Sequence, residues 1–451
     1  MSDEADERPA LGMPRWRLRL DSRELLPLAG LLLVYFLLAH LYNGRVPLGQ
    51  GVDELGHLGY VQWLADGRGL PVLGHAEGPR APVYEAHQPP LYYLLCVPVY
   101  VVASALGPDE AGLALRLFTA CLGALAILCC YGLLKVLWPD RPVARWCGSA
   151  FMALLPSNVS LLSNVNNDAL MELTGAAFLL LAALSIRGRL TQPGMLLGAV
   201  AGLGIWVKSS CLVLWVVGPL ALLLSVPARE RPGGAVERSP DDAWRQCGLF
   251  LLVALVVSAP WLLRNQAVYG DPLGWEAFVR YFHNPPPPAK PYPTPAFFQG
   301  TLSLAQYWEL VGIYFLSTFL GILTDVRGRP LSMEPQAYSV FASFLVAALG
   351  GFFTTRRAWH KPQVRRTVGV AALALVLILA AYLRLNTTFF WAQARYVYLA
   401  LPAIALVWGE GLTAPFPERY RGLSAGLATA FLLSMNFGLL YGPVAPGLFI
   451  R

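Results

Sequence analysis

Long apolar runs separated by short polar stretches dominate this chain, and neither strict alternation nor a soluble amphipathic repeat replaces them. Runs of about 20 apolar residues match a ~30 Å hydrocarbon core. In lipid every backbone polar group must be paired inside its own segment, so continuous runs of this kind predict helices. A membrane β-barrel would show alternating residues instead. The expected spans are 25–41, 115–137, 146–162, 169–186, 194–207, 210–226, 246–263, 337–355, 367–384, 396–412 and 423–441. The predicted fold is thus all-α and polytopic, with about eleven transmembrane helices in a single unit over 1–451.

One apolar stretch is assigned differently. Residues 91–106 follow Pro89-Pro90, contain Pro98 and are short for a crossing. Laid along the outer interface as an aromatic-fronted helix, they leave Lys135 to Arg145 inside and Arg116 opening the second span from outside. Arg15, Arg17 and Arg19, then Arg187 and Arg189, Arg229 to Arg245, Arg356 to Arg366, and Arg419 with Arg421 all fall on the inner side. That asymmetry follows the positive-inside rule. Two large loops then face outward, 42–114 and 264–336. The second carries Pro285–Pro288 and a second expected interfacial helix at 304–323. Residues 226–244 form an inner loop.

Composition agrees. Hydrophobic residues make up 56% and charged residues 14%, against about 25% charged in soluble domains. The net charge of +7 sits in short loops between spans, so it reads as topology and not as a nucleic-acid surface. Seven cysteines lie in or beside apolar segments without disulfide or metal spacing and read as small packing residues.

The polar residues that topology brings to the outer face are the candidate chemistry, since ionisable groups near a membrane core are costly and usually functional. Asp53-Glu54 follows the first span, and His57 lies one helical turn on. Adjacent acids on a loop are often merely solvated. In a site, Asp53 would be the general base for an acceptor hydroxyl, and Glu54 would position that acceptor or orient His57. D-E-x-x-H lacks the first His of the zinc motif H-E-x-x-H, so no metal ligands are assigned, and a divalent metal as cofactor is left open. Asn166-Asn167-Asp168 reads equally well as a helix cap or as a second acid facing Asp53. Arg116, Lys208, Arg264 (before Asn265) and Arg395 (before Tyr396) are cations that either snorkel to the interface or grip an anionic phosphate. A base beside phosphate-binding cations suggests group transfer from a lipid-linked phosphate.

D-E-L-G-H after the first span, H-Q-P-P-L-Y-Y, N-N-D-A-L, P-W-L-L-R-N-Q-A-V-Y-G-D-P and Q-A-R-Y-V occur in that order between residues 50 and 400. In order and topology the chain resembles the GT-C superfamily of polyprenyl-phosphate-sugar-dependent glycosyltransferases, its family 39 branch of protein O-mannosyltransferases and aminoarabinose transferase above all. The resemblance implies a catalytic group of Asp53, Glu54 and Asp168. It implies a pocket drawing on Tyr84, Glu85 and His87, with Lys208, Arg264 or Arg395 on the phosphate; the outer-face placement adds His57, Asn167, Asn265 and Tyr396 as substrate-binding candidates. His87-Gln88 stands where the aminoarabinose transferase pattern has Glu-Lys, so that sugar specificity does not carry over. The implied reaction is an inverting sugar transfer from a polyprenyl-phosphate donor to a hydroxyl of a protein, lipid or glycan. It would take place on the extracytoplasmic side of a bacterial inner (plasma) membrane. Without the C-terminal periplasmic domain of some relatives, acceptor recognition is expected to fall to the two outer loops. A transporter or flippase of the same lipid-linked sugar is the alternative. It would need a polar path through the spans, where Glu172 and Glu410 lie near ends.

Overall fold

The computed structural model describes residues 22–75, 84–225, 240–284, 295, 301–321, 335–355, 359 and 361–441. Arg15, Arg17, Arg19, Pro285–Pro288, Arg229, Arg231, Arg238, Arg356 and Arg357 lie outside them. Among the described residues all regular structure is helical. The helices are α1 (Ser22–Arg45), α2 (Glu54–Ala65), α3 (Leu91–Ser104), α4 (Pro108–Leu137), α5 (Pro142–Leu154), α6 (Pro156–Leu162), α7 (Asp168–Ile186) and α8 (Pro193–Ile205). They continue as α9 (Val213–Leu223), α10 (Pro240–Tyr269), α11 (Trp275–His283), α12 (Leu304–Leu320), α13 (Pro335–Thr354), α14 (Pro362–Asn386), α15 (Leu401–Thr413) and α16 (Glu418–Tyr441).

Eight described helical segments are long and apolar enough to cross a membrane: α1, α4, α7, α10, α13, α14, the stretch Ala394–Thr413 that ends in α15, and α16. The three other expected spans are shorter or broken. Residues 146–162 divide at Leu155, whose ψ of 117° is extended. Pro156, first residue of α6, is the cause. It has no N–H to continue the ladder and forces its predecessor out of the helical region. Helix α8 has 13 residues, about 20 Å at 1.5 Å per residue and short of a full crossing. The 210–226 stretch begins with a 3-10 turn, Ser209–Leu212, before α9. Two ends also move. Helix α4 starts at Pro108, earlier than expected, because Gly107 at φ 147° turns the chain into it and Asp109 and Glu110 suit its first turn. Helix α10 continues through Pro260 to Tyr269, which places Arg264 inside a helix.

Close backbone contacts set the packing. A Cβ at Gly194, Gly198 or Gly202 would stand 2.3, 2.6 or 2.8 Å from the carbonyl oxygens of Gln246, Phe250 and Ala254. This four-residue repeat lets α8 lie directly on α10, the small-residue packing used between membrane helices. At Gly175 a Cβ would stand 2.0 Å from the Leu399 oxygen. That absence of a side chain brings the 3-10 segment Ala394–Ala400 against α7, and with it Arg395 toward Asp168.

Candidate active site

Asp53 ends the turn that enters α2 and is the single non-glycine with positive φ among the described residues, at 55°. Asp tolerates this left-handed region better than most side chains, and such strain tends to collect at functional sites. Its side chain caps nothing. Oδ2 accepts instead from an Arg395 guanidinium nitrogen at 2.5 Å, and 29% of the side chain stays open. The other terminal nitrogen of Arg395 donates to Asp168 Oδ2 at 3.3 Å. Lys208 Nζ donates to Asp168 Oδ1. Two acids and two cations, from four separate parts of the chain, thus form one alternating chain of charge.

Asp168 opens α7, yet its carboxylate turns to the cations and caps nothing. The Asn166 Oδ1 atom accepts the Asp168 backbone N–H at 3.0 Å. Asn167 Nδ2 donates to Gln88 Oε1 at 3.0 Å and to the Val207 carbonyl at 3.3 Å.

Asp53, Arg395 and Lys208 line a cavity of about 230 Å3, and Asp168 stands behind them. Asp53, His57, Tyr84, Glu85, His87, Asn167, Lys208, Arg395 and Tyr396 all line it. The rest of the lining is largely aromatic. Trp275, Phe278 and Phe282 recur at three- and four-residue steps along α11 and face the cavity together. Trp391 stacks on Phe389 at 5.1 Å and on Tyr396 at 6.2 Å. The His87 ring packs on Phe278 at 4.9 Å.

Burial sets the protonation states around Asp53. Burial works to raise the Asp53 carboxyl, but Arg395, His57 and Lys208 outweigh it and hold it below the usual carboxylate range. Glu85 is pushed up to about 8, by burial first and then by the Asp53 charge, and one of its oxygens has no hydrogen-bond partner among the described residues. Burial takes His57 down to about 3 and His87 to about 4. At neutral pH the cavity therefore holds an ionised Asp53, a protonated Glu85 and two neutral imidazoles. His57 Nδ1 lies 2.8 Å from the Tyr93 hydroxyl.

Four residues expected in the pocket stand elsewhere. Asp168 is buried behind the lining and reaches the cavity through Lys208 and Arg395. Glu54 is fully buried and turned away from Asp53. Its oxygens take a two-pronged bond from Arg116 at 2.7 and 2.6 Å, and the backbone N–H groups of Gly49, Gly51 and Val165. It neither orients His57 nor reaches the cavity, because five donors already occupy its lone pairs. Arg264 donates to the Pro71 carbonyl at 2.6 Å and to Asn265 Oδ1 at 3.0 Å, with its guanidinium over Trp261 and Tyr269. Asn265 Nδ2 donates to Pro272 O. That pair pins the chain around Pro71 and Pro272 and lies outside the cavity lining.

Ser209, Ser210, Gln393 and the aromatic face of α11 line the cavity beyond the residues the sequence points to, and Gln88 joins them from the polar cluster before Pro89-Pro90. Their signals were slight: a polar residue before Pro89-Pro90, two serines after Lys208, and an amphipathic nine-residue helix. Among the described residues no three His, Cys, Asp or Glu side chains converge as a metal-ligand set, so no step is derived through a metal.

No protein-family model matches the sequence, and no curated protein matches it. Solved structures do. The chain is similar to the Archaeoglobus fulgidus oligosaccharyltransferase tethered with an acceptor peptide, at TM-score 0.52 and 14% identity over 92% of this chain and 54% of that one. The apo form of the same enzyme gives 0.51 and 12% over 93% and 57%. ArnT from Cupriavidus metallidurans bound to undecaprenyl phosphate gives 0.52 and 13% over 93% and 76%. The chain spans just over half the length of the archaeal enzyme. At such identities the likeness is one of fold. Together with eight apolar helices of spanning length, it makes this chain a polytopic integral membrane protein that shares the fold of these two membrane enzymes.

Proposed function

We propose that the protein transfers a sugar, with inversion, from a polyprenyl-phosphate carrier to an acceptor hydroxyl in this cavity. The observation that carries the reading is the charge chain Asp53–Arg395–Asp168–Lys208, of which Asp53, Arg395 and Lys208 face the cavity. Solved neighbours of the fold were captured with undecaprenyl phosphate and with a dolichol-phosphate, which supports such a donor.

The chemistry follows from the charges. In the unliganded site two carboxylates balance two cations. The acceptor hydroxyl gives its proton to Asp53 as its oxygen bonds to the anomeric carbon. The bond from that carbon to the phosphate oxygen breaks, and its electron pair leaves with the phosphate. Neutralising Asp53 leaves Arg395 and Lys208 facing Asp168 alone, one positive charge in excess. That excess appears as negative charge grows on the leaving phosphate, which is where electrostatic catalysis does most. Phosphate leaves well, so no general acid is needed. Protonated Glu85 and neutral His57 serve as hydrogen-bonding groups for the sugar. The aromatic wall offers ring faces for the apolar side of a sugar or of the carrier. Glu54 with Arg116, and Arg264 with Asn265, act as struts. We assign the cavity to the extracytoplasmic side on the arginine asymmetry of the sequence.

The test reconstitutes full-length protein in liposomes with radiolabelled sugar on undecaprenyl phosphate and a membrane extract as acceptor source. Wild type should transfer label, and Asp53→Asn should slow transfer about 100- to 10,000-fold. Transfer at the wild-type rate by Asp53→Asn overturns the base assignment. Movement of the donor across the bilayer without transfer replaces the enzyme reading with a transporter.

A further inference from the structure

At the other end of the bundle, α13, α15 and α16 enclose an apolar groove of about 710 Å3. Its size is within the roughly 300–1,000 Å3 of small-molecule pockets. Phe344, Gly350, Leu412, Phe416, Leu423 and Leu427 are among its walls. The groove arises from one close contact. A Cβ at Gly411 would stand 1.8 Å from the Ala348 oxygen, so α13 and α15 meet backbone to backbone there. At the neighbouring Gly350, nothing lies within 4 Å of where a Cβ would be, and the space stays open.

We propose that this groove holds an acyl chain of an anionic phospholipid whose phosphate is gripped by Arg419 and Arg421. Three observations converge. First, Leu423 and Leu427 on the spanning helix α16 are 60% and 59% exposed, so the groove opens toward lipid. Second, two arginines border it, although Arg421 also lines a small neighbouring pocket with Glu410 and Glu418. Arg419 lies 4.6 Å over the Tyr420 ring, and Arg421 Nε donates to the Phe416 carbonyl at 3.1 Å; both partners are groove residues. Neither arginine has an ion pair among the described residues, and Glu410, whose charge also acts on Arg421, is held by Arg141. A guanidinium fork fits phosphate oxygens, and cations at headgroup level attract anionic lipid. Third, Gly411 lies 16 residues past Arg395 on the segment Ala394–Thr413, roughly 25 Å at 1.5 Å per residue. The groove is therefore separate from the cavity.

Native mass spectrometry of the detergent-extracted full chain tests this with equimolar phosphatidylglycerol and phosphatidylcholine added. Wild type should retain one phosphatidylglycerol. Gly350→Leu, which fills the groove, and the double variant Arg419→Gln/Arg421→Gln should each lower that retention at least tenfold with an unchanged melting temperature. If Gly350→Leu fails to fold, the exposed arginine pair decides alone. Equal retention of both lipids by wild type, or wild-type retention by the arginine variant, overturns the proposal. So does preferential retention of added undecaprenyl phosphate in the groove, or a dimer that Gly350→Leu dissociates without changing lipid retention.

Discussion

Arg395 holds Asp53 at 2.5 Å through one terminal nitrogen while its other reaches Asp168 at 3.3 Å. In the free protein the proposed base and the proposed phosphate clamp therefore occupy each other. A donor phosphate that takes the first nitrogen would release the Asp53 carboxylate as the acceptor arrives, coupling donor binding to base strength.

Arg395→Lys tests that coupling, since an ammonium cannot bridge two carboxylates with the same fork. Transfer should fall about 100- to 1,000-fold. The sign of the pH effect is fixed. Burial raises the Asp53 carboxyl and Arg395 is first among the groups lowering it, so weakening that partner moves the acidic limb of kcat/KM to higher pH. A limb that stays in place, measured from pH 4 to 8, would show that Arg395 does not set the basicity of Asp53.

Glu54 and Arg116 should matter for stability ahead of chemistry. Breaking a buried ion pair by removing one partner costs about 3–5 kcal/mol, and this pair is fully enclosed. Glu54→Gln should lower the denaturation midpoint in detergent. Its folded fraction should keep the donor KM of wild type. A large KM change without loss of stability would return Glu54 to the pocket.

Glu85 gives the fold a pH dependence. Its carboxyl titrates near 8 in the folded chain, against an ordinary value of 4.5. Between those values the folded state binds more protons than the unfolded one, so this contribution is complete below about 4.5 and is lost as pH rises through about 8. The wild-type melting temperature should fall from pH 5 to 9 more steeply than that of Glu85→Gln. Parallel curves would place the titration elsewhere.

Gly175 sets the position of Arg395 without touching substrate. A side chain there would collide with the Leu399 carbonyl, and overpacking of this kind costs about 1–3 kcal/mol. Gly175→Val should separate the 394–400 segment from α7 and cut transfer tenfold or more at a temperature where the variant is still folded. Normal transfer by folded Gly175→Val would mean the contact is incidental.

Much of this was legible in the chain. Runs of spanning length give α1, α4, α7, α10, α13, α14 and α16, because lipid leaves a buried backbone few choices. Asp53 after the first helix, Asp168 opening α7 and Arg395 before α15 could be located by their setting at the ends of apolar runs. The break at Pro156 is equally local. Which polar side chain meets which was not local. Asp53 and Glu54 are neighbours, yet a left-handed turn faces one to the cavity while the other turns to Arg116, 62 positions away. Arg264 and Arg395 look alike at the ends of their segments, but Arg264 spends its donors on Pro71 and Asn265 while Arg395 joins two acids. Apolar periodicity fixes where a helix lies in the bilayer. The partner of a charge depends on which helices touch, and here that rests on contacts such as Gly175 against Leu399 that exist in the folded bundle alone.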